Sequence, residues 1–146
     1  MSDTAAVTGI DVDIMPEDDL SVPEGWTLLA DESVEEPGGP VTLEDVAVLE
    51  GNESYVGGET MLKRAIKSGN RAGLRCAKAL LRQQEKIPVE WRGNKILVFT
   101  GTVVRLRRGF RYVAYLYWFG VRWYLFWYWL VNFFNSYYRA VRCSRK

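Results

Sequence analysis

The sequence predicts an α+β domain, with two short helices packed on antiparallel strands behind an acidic N-terminal arm. Three observations predict it. Apolar residues recur at helical spacing between residues 59 and 86, take on β texture from Ile96 onward, and are sparse in the acidic, proline-containing stretch 1–40. The 146 residues suit one domain with a tail.

Taken in chain order, residues 1–40 hold Pro16, Pro23, Pro37, Gly38, Gly39 and Pro40 among many carboxylates. That composition predicts a solvated, partly disordered arm. A sharper alternative is that the arm folds back on the basic remainder and neutralises it. Short apolar pieces such as Trp26–Leu29 are candidate strands or docking points. Residues 41–146 are the expected ligand-binding domain. A short strand is expected near Val46–Leu49, with Gly51-Asn52 as turn material.

Over residues 59–67, Met61, Leu62, Ala65 and Ile66 form one apolar stripe, and Ser68-Gly69 ends the helix. A second helix is predicted from about Arg71 to Lys86, where Leu74, Ala77, Leu80, Leu81 and Gln84 keep the i, i+3, i+4 pattern. Pro88 stops it. Ile96–Phe99 is β-branched and apolar, and Gly101 marks a bulge. Residues 105–111 read as a basic loop. Residues 112–130 form two arms around a hairpin tip at Phe119-Gly120-Val121. Residues 137–142 make a last short strand. The two helices, near 59–67 and 71–86, are expected to pack on an antiparallel sheet built from residues 96–142.

Charge is distributed unevenly. Residues 1–50 hold 14 Asp/Glu and no Lys or Arg, so they carry −14; residues 51–146 hold 19 Lys/Arg and 4 Asp/Glu, so they carry +15. The absence of histidine excludes a His-based triad, an imidazole metal site and a His general base. Two cysteines, Cys76 and Cys143, cannot build a zinc site or a disulfide framework, although one disulfide stays open. The acidic start lacks the basic-then-apolar order of a secretory signal, so cytoplasmic synthesis is the default expectation, with surface or virion display left open. Glu85 or Glu90 alone makes no acid/base pair. No catalytic residue, metal ligand or cofactor is assigned, and the expectation is a protein that is not an enzyme.

Of the 20 aromatic residues, 17 lie from Phe99 onward, concentrated in Tyr112–Phe134. That segment is long enough to span a bilayer as a helix. Its aromatics fill the middle, however, and Arg122 sits at the centre, where a charge costs at least ~2.5 kcal/mol. No transmembrane segment is therefore expected. Seven Arg between 105 and 142, set among stackable rings, suit a single-stranded nucleic acid. The acidic half competes with phosphate, and the glycine spacing of an RNA-binding motif is missing. A third reading is a recognition surface on a sheet. In a strand over Trp123–Leu130, one face shows Trp123, Leu125, Trp127 and Trp129, and the other shows Tyr124, Phe126, Tyr128 and Leu130. One face can be core while the other is exposed for binding. Burial of both faces in a small sandwich is the plain structural alternative.

Between Ile96 and Arg145 there is no Lys, Glu, Gln, Met, Asp or His. An AAC codon randomised at its adenines yields Tyr, Phe, Ser, Val, Leu, Arg, Gly, Cys, Asp and others, but never Lys, Glu, Gln, Met or Trp. The Trp codon, TGG, has no adenine and survives untouched. The segment fits this pattern, with Trp residues as a regular frame and Tyr, Phe, Val, Leu and Arg between them.

The stretches LLRQQEKIPVEWRG (80–93), ILVFTGTVV (96–104), RYVAYLYW (111–118), RWYLFWYWL (122–130) and YYRAVR (137–142) resemble the target (variable) proteins of diversity-generating retroelements. The resemblance covers about Val46–Arg142. In that family a reverse transcriptase copies a template repeat with errors at adenines, and the copy replaces the C-terminal variable region of the target gene. The resemblance implies a C-type lectin fold of the formylglycine-generating-enzyme type, with variable residues on an exposed binding face.

By resemblance the variable region is about 105–142. The frame is Val113, Leu116, Trp118, Gly120, Arg122, Trp123, Leu125, Trp127, Trp129, Leu130, Arg139, Val141 and Arg142. The varied, ligand-binding positions are Phe110, Tyr112, Tyr117, Phe119, Val121, Tyr124, Phe126, Tyr128, Val131, Phe133, Tyr137 and Tyr138. Val104 stands where the family usually has Trp, and Ala114 where it usually has Pro. Some C-type lectins bind calcium through clustered carboxylates, but residues 91–146 have no carboxylate side chain, so no such site is expected there. The expected partner is a protein or other macromolecule, and the rival is a basic aromatic protein that binds single-stranded nucleic acid or associates with a membrane. The likeness to the formylglycine-generating enzyme is one of fold and carries no activity.

Overall fold

A computed structural model describes residues 9–106 and 109–146. The main sheet is built from β1 (Ile10–Ile14), β3 (Gly39–Ala47), β5 (Ile96–Arg105), β6 (Arg111–Phe119), β7 (Arg122–Trp129) and β9 (Tyr138–Arg145), in the order β1-β3-β9-β5-β6-β7. β2 (Thr27–Leu28) pairs with the far end of β5. β4 (Tyr55–Gly57) and β8 (Phe133–Asn135) form a separate two-stranded sheet. The helices are α1 (Gly58–Ser68) and α2 (Leu74–Arg82).

This architecture corrects the expected α+β, C-type-lectin-like plan of two helices on antiparallel strands. The protein is mostly β, 43% strand and 22% helix, with the main sheet curled into a half-barrel. β5 and β9 run parallel, so the sheet is mixed. The helices do not form a layer together. α2 packs on β1, β5, β6 and β7, whereas α1 lies against β4 and β8. Helices of eleven and nine residues are too short to cover a six-stranded path, so the sheet curls and supplies much of its own cover.

The first strand comes from the acidic segment. IDVDI alternates, burying Ile10, Val12 and Ile14 while Asp11 and Asp13 face solvent. β3 begins at Gly39 and reaches Ala47, ahead of the expected Val46–Leu49. α2 is shorter than the predicted 71–86 and gives way to a 3-10 turn over Gln84–Lys86. Its first turn is capped from the acidic segment. The Glu36 carboxylate accepts the N–H of Gly73 at 2.6 Å and of Arg75 at 3.0 Å, and the Thr102 hydroxyl accepts that of Leu74 at 2.8 Å.

The register of β5 against β6 shifts between Phe99 and Val103, around Gly101. A Cβ there would lie 2.6 Å from the Ala72 carbonyl carbon. Glycine therefore admits the approach of residues 72–73 to the strand. Two cores result. Val12, Leu43, Leu74, Leu80, Phe99, Leu116 and Trp123 fill the space between α2 and the sheet. Met61, Leu62, Val98, Val113, Leu130 and Phe134 fill the other side, beneath α1 and the small sheet.

Candidate functional site

The β6–β7 hairpin turns through Gly120-Val121, with Phe119 opposite Arg122. Gly120 has φ +69°, as a two-residue hairpin turn favours. Directly paired residues share a face. Tyr112, Ala114, Leu116 and Trp118 therefore sit with Trp129, Trp127, Leu125 and Trp123 toward α2, while Tyr115, Tyr117 and Phe119 sit with Phe126, Tyr124 and Arg122 on the other, open face, whose inner end at Val113 and Tyr128 packs into the second core.

The open face carries a chain of rings. Phe126 lies 5.6 Å from Tyr115, 6.2 Å from Tyr124 and 6.5 Å from Tyr117 between centroids. Tyr115 continues to Tyr128 at 5.6 Å, and Tyr128 stacks on Tyr138 at 5.2 Å. Phe134, buried below, meets both Tyr128 and Tyr138 edge-on. The Tyr128 hydroxyl donates to the Phe133 carbonyl at 3.0 Å. The inner end is therefore anchored and the outer end, toward the hairpin tip, is open. Burial pushes the phenols of Tyr115 and Tyr138 above their ordinary range. Arg122 lies 5.3 Å above the Tyr124 ring and supplies positive charge at the rim.

Nine of the twelve positions expected to vary are exposed: Phe110, Tyr117, Phe119, Val121, Tyr124, Phe126, Val131, Phe133 and Tyr137, at 37–83%. Tyr112, Tyr128 and Tyr138 are half-buried. The twelve do not form one surface. Tyr117, Tyr124, Phe126, Tyr128 and Tyr138 share the open face, and Phe119 and Val121 continue it to the tip. Val131 and Phe133 lie beyond β7, where Phe133 meets Tyr55 edge-on at 5.1 Å. Phe110 and Tyr112 belong to the opposite side, against Trp129 at 5.1 Å and Trp26 at 4.9 Å.

Among the frame residues, Trp123 is fully buried. Trp118, Trp127 and Trp129 are half-buried rather than deep in the core, because α2 covers only part of this face. Arg92 lies over the Trp118 ring at 4.2 Å and Trp26 beside Trp127 at 5.5 Å. Sequence reasoning passed over Tyr115, Tyr55 and Arg122 as members of the aromatic surface. Two-residue steps from Tyr117 lead to Tyr115, a signal that was present in the strand pattern.

The acidic segment engages the basic residues of the same region. Arg111 pairs with Glu32 and, at 2.5 Å, with Glu59; Arg139 pairs with Asp45 at 2.8 Å; Arg142 lies 3.9 Å from Glu44. The charges of Arg111 and Arg139 are thereby neutralised and are not free for a phosphate backbone. Cys76 is buried and Cys143 half-buried, and neither is in a disulfide. Contact with Cys143 and burial hold the Cys76 thiol well above its usual range, away from the thiolate a nucleophile requires. Among the described residues no group of three or more Asp, Glu, Cys or His converges to hold a metal ion. Tyr112–Phe134 runs through β6, β7, a short turn and the start of β8, and no helix among the described residues is long and apolar enough to cross a membrane. Compared with family models, curated sequences and solved structures, the chain finds no match in any of the three.

Proposed function

We propose that this is a binding protein, not an enzyme, whose open aromatic face and hairpin tip meet a macromolecular target, and whose C-terminal region is diversified by a retroelement. The observation that carries this reading is the division of labour along the hairpin. Tyr117, Phe119, Val121, Tyr124 and Phe126 are exposed, whereas Leu116 and Trp123, the residues immediately before Tyr117 and Tyr124, are buried on the other face. A surface can vary freely only where its side chains are not also the core. Tyrosine-rich surfaces give a large amphipathic contact area with few torsions to freeze, as in antibody paratopes. Exposed rings of this number are uncommon on a monomer without a partner. The recruitment of Arg111 and Arg139 by carboxylates favours a protein target over a nucleic acid.

The test is genomic. Sequencing the locus should find, beside a reverse-transcriptase gene, a near-copy of the codons for residues 105–142 that differs mainly at adenines. A locus with neither the copy nor the reverse transcriptase would sink the diversification reading.

A further inference from the structure

A cleft of about 230 Å³ lies away from the aromatic face, between α1 and strands β3 and β9. Its walls include Val46, Met61 and Ala140, together with Arg64, Arg71 and Arg142. We infer that this cleft binds a small organic oxyanion, its carboxylate or phosphate held by Arg71 and Arg142 and its apolar part set against Val46, Met61 and Ala140. The inference is independent of the diversification reading.

The two arginines are forced together by the backbone. Arg71 and Arg142 form an isolated antiparallel bridge. The flanking hydrogen bonds run from the Ala72 N–H to Val141 and from the Cys143 N–H to Asn70. The arginines therefore occupy a position without hydrogen bonds between them, where Cα atoms approach to about 4.5 Å and side chains crowd most closely. Like charges placed directly opposite are unfavourable unless an anion lies between them.

The charge balance of the cleft is incomplete. Arg64 is neutralised by a two-point contact with Glu53, at 2.7 and 2.8 Å, and by Glu50 at 3.5 Å. Arg71 has no such partner among the described residues; its Nη1 donates to the carbonyls of Glu32 and Thr100. Burial lowers its guanidinium from the ordinary value, and the more distant Glu32 carboxylate offsets this only in part. Arg142 has one carboxylate, Glu44, at the long distance of 3.9 Å, and its buried Nε donates to nothing. Buried charged donors without an acceptor are costly and rare, and an oxyanion is the group that satisfies two guanidinium forks at once. The carbonyl end of α1 reaches the same cleft at Ser68 and favours cations, so the oxyanion belongs at the arginine pair. The volume falls below the roughly 300–1,000 Å³ of drug-sized sites, which limits the ligand to a short chain or a single phosphate ester.

Calorimetric titration of the full chain with inorganic phosphate and with butyrate, at ionic strength matched with sodium chloride, tests this. At least one probe should bind saturably at one site per chain. Tighter binding of butyrate would assign the site to carboxylates with an apolar body, and tighter binding of phosphate to phosphate esters. R142Q should weaken binding about tenfold, the loss of one charged hydrogen-bonding partner. R92Q, outside the cleft, should leave it unchanged. E44Q removes a competing carboxylate from a half-exposed position and should tighten binding, a gain that a purely structural arginine pair would not produce. Saturation with neither probe, or an E44Q variant that binds no tighter than the parent, overturns the assignment.

Discussion

Trp123 and Tyr124 are neighbours on one strand, and their replacement by alanine should have very different consequences. Trp123 is 1% exposed, packed edge-on against Trp118 at 6.0 Å and covered by α2. Gln84 holds its backbone, accepting the Trp123 N–H at 2.9 Å, so the side chain can be removed without disturbing the strand. The loss is then that of a fully buried indole plus the cavity it leaves, about 3–5 kcal/mol. For a chain of this size each kcal/mol moves the melting temperature by roughly 2–4 °C, so Trp123→Ala should melt about 10–15 °C lower. Tyr124 is 39% exposed, with Phe126 at 6.2 Å as its ring neighbour and Arg122 above it. Its replacement removes partial burial on a surface that relaxes freely, about 1 kcal/mol, or about 3 °C. Thermal melts followed by near-ultraviolet circular dichroism, with urea unfolding as a second measure, read both changes. If Tyr124→Ala destabilises as much as Trp123→Ala, the open face is core and cannot be a surface free to vary.

Gly58→Ala should destabilise strongly in urea, because its Cβ would lie within 2.2–2.9 Å of the Leu130 backbone and push the start of α1 away from the turn that follows β7. Glu36→Ala should cost about 1–2 kcal/mol in the same assay, by uncapping α2. Burial opposes ionisation of Asp18 and Asp45, yet Arg82 with the Met15 N–H, and Lys95 with Arg139, outweigh it and hold both carboxyls below the usual carboxylate value. A depressed carboxyl contributes stability above its unfolded pKa and loses it as pH falls through the folded one. The urea midpoint should therefore drop below about pH 4, and D18N should flatten that drop while lowering stability at neutral pH.

How much could be read from sequence depended on whether the signal was local. The alternation over Trp123–Leu130 separated two faces, and Gly120 and Gly101 marked the turn and the bulge. The stripe of Met61 and Leu62 located α1 to within one residue at each end. The edge strand β1 was hidden by composition. IDVDI alternates as a strand should, but its carboxylates, in a run without basic residues, read as a solvated arm. Those carboxylates face outward because the same strand puts Ile10, Val12 and Ile14 into the core. The parallel pairing of β5 with β9 joins segments some forty residues apart, and no local pattern encodes it. The fold class failed for a related reason. Two helical segments were legible, but not that they would lie in different places, one under the sheet and one beside β4 and β8. At the site, residue type was legible and placement only in part. Phe110 and Tyr112 carry the composition of the varied positions yet pack against Trp129 and Trp26, and Trp26 comes from a segment whose docking position sequence did not reveal.

The open face should be able to change while the frame persists. Two combinatorial libraries measure it directly. One randomises Tyr117, Phe119, Val121, Tyr124 and Phe126; the other randomises Leu116, Trp118, Trp123, Leu125 and Trp127 over the same codon set. The readout is the fraction of clones that resist protease, followed by selection of the survivors against a protein the parent does not bind. Most face clones should remain folded and some should acquire binding, while few frame clones survive. Face clones that collapse as often as frame clones, or a folded face library that yields no new binder, would contradict the account.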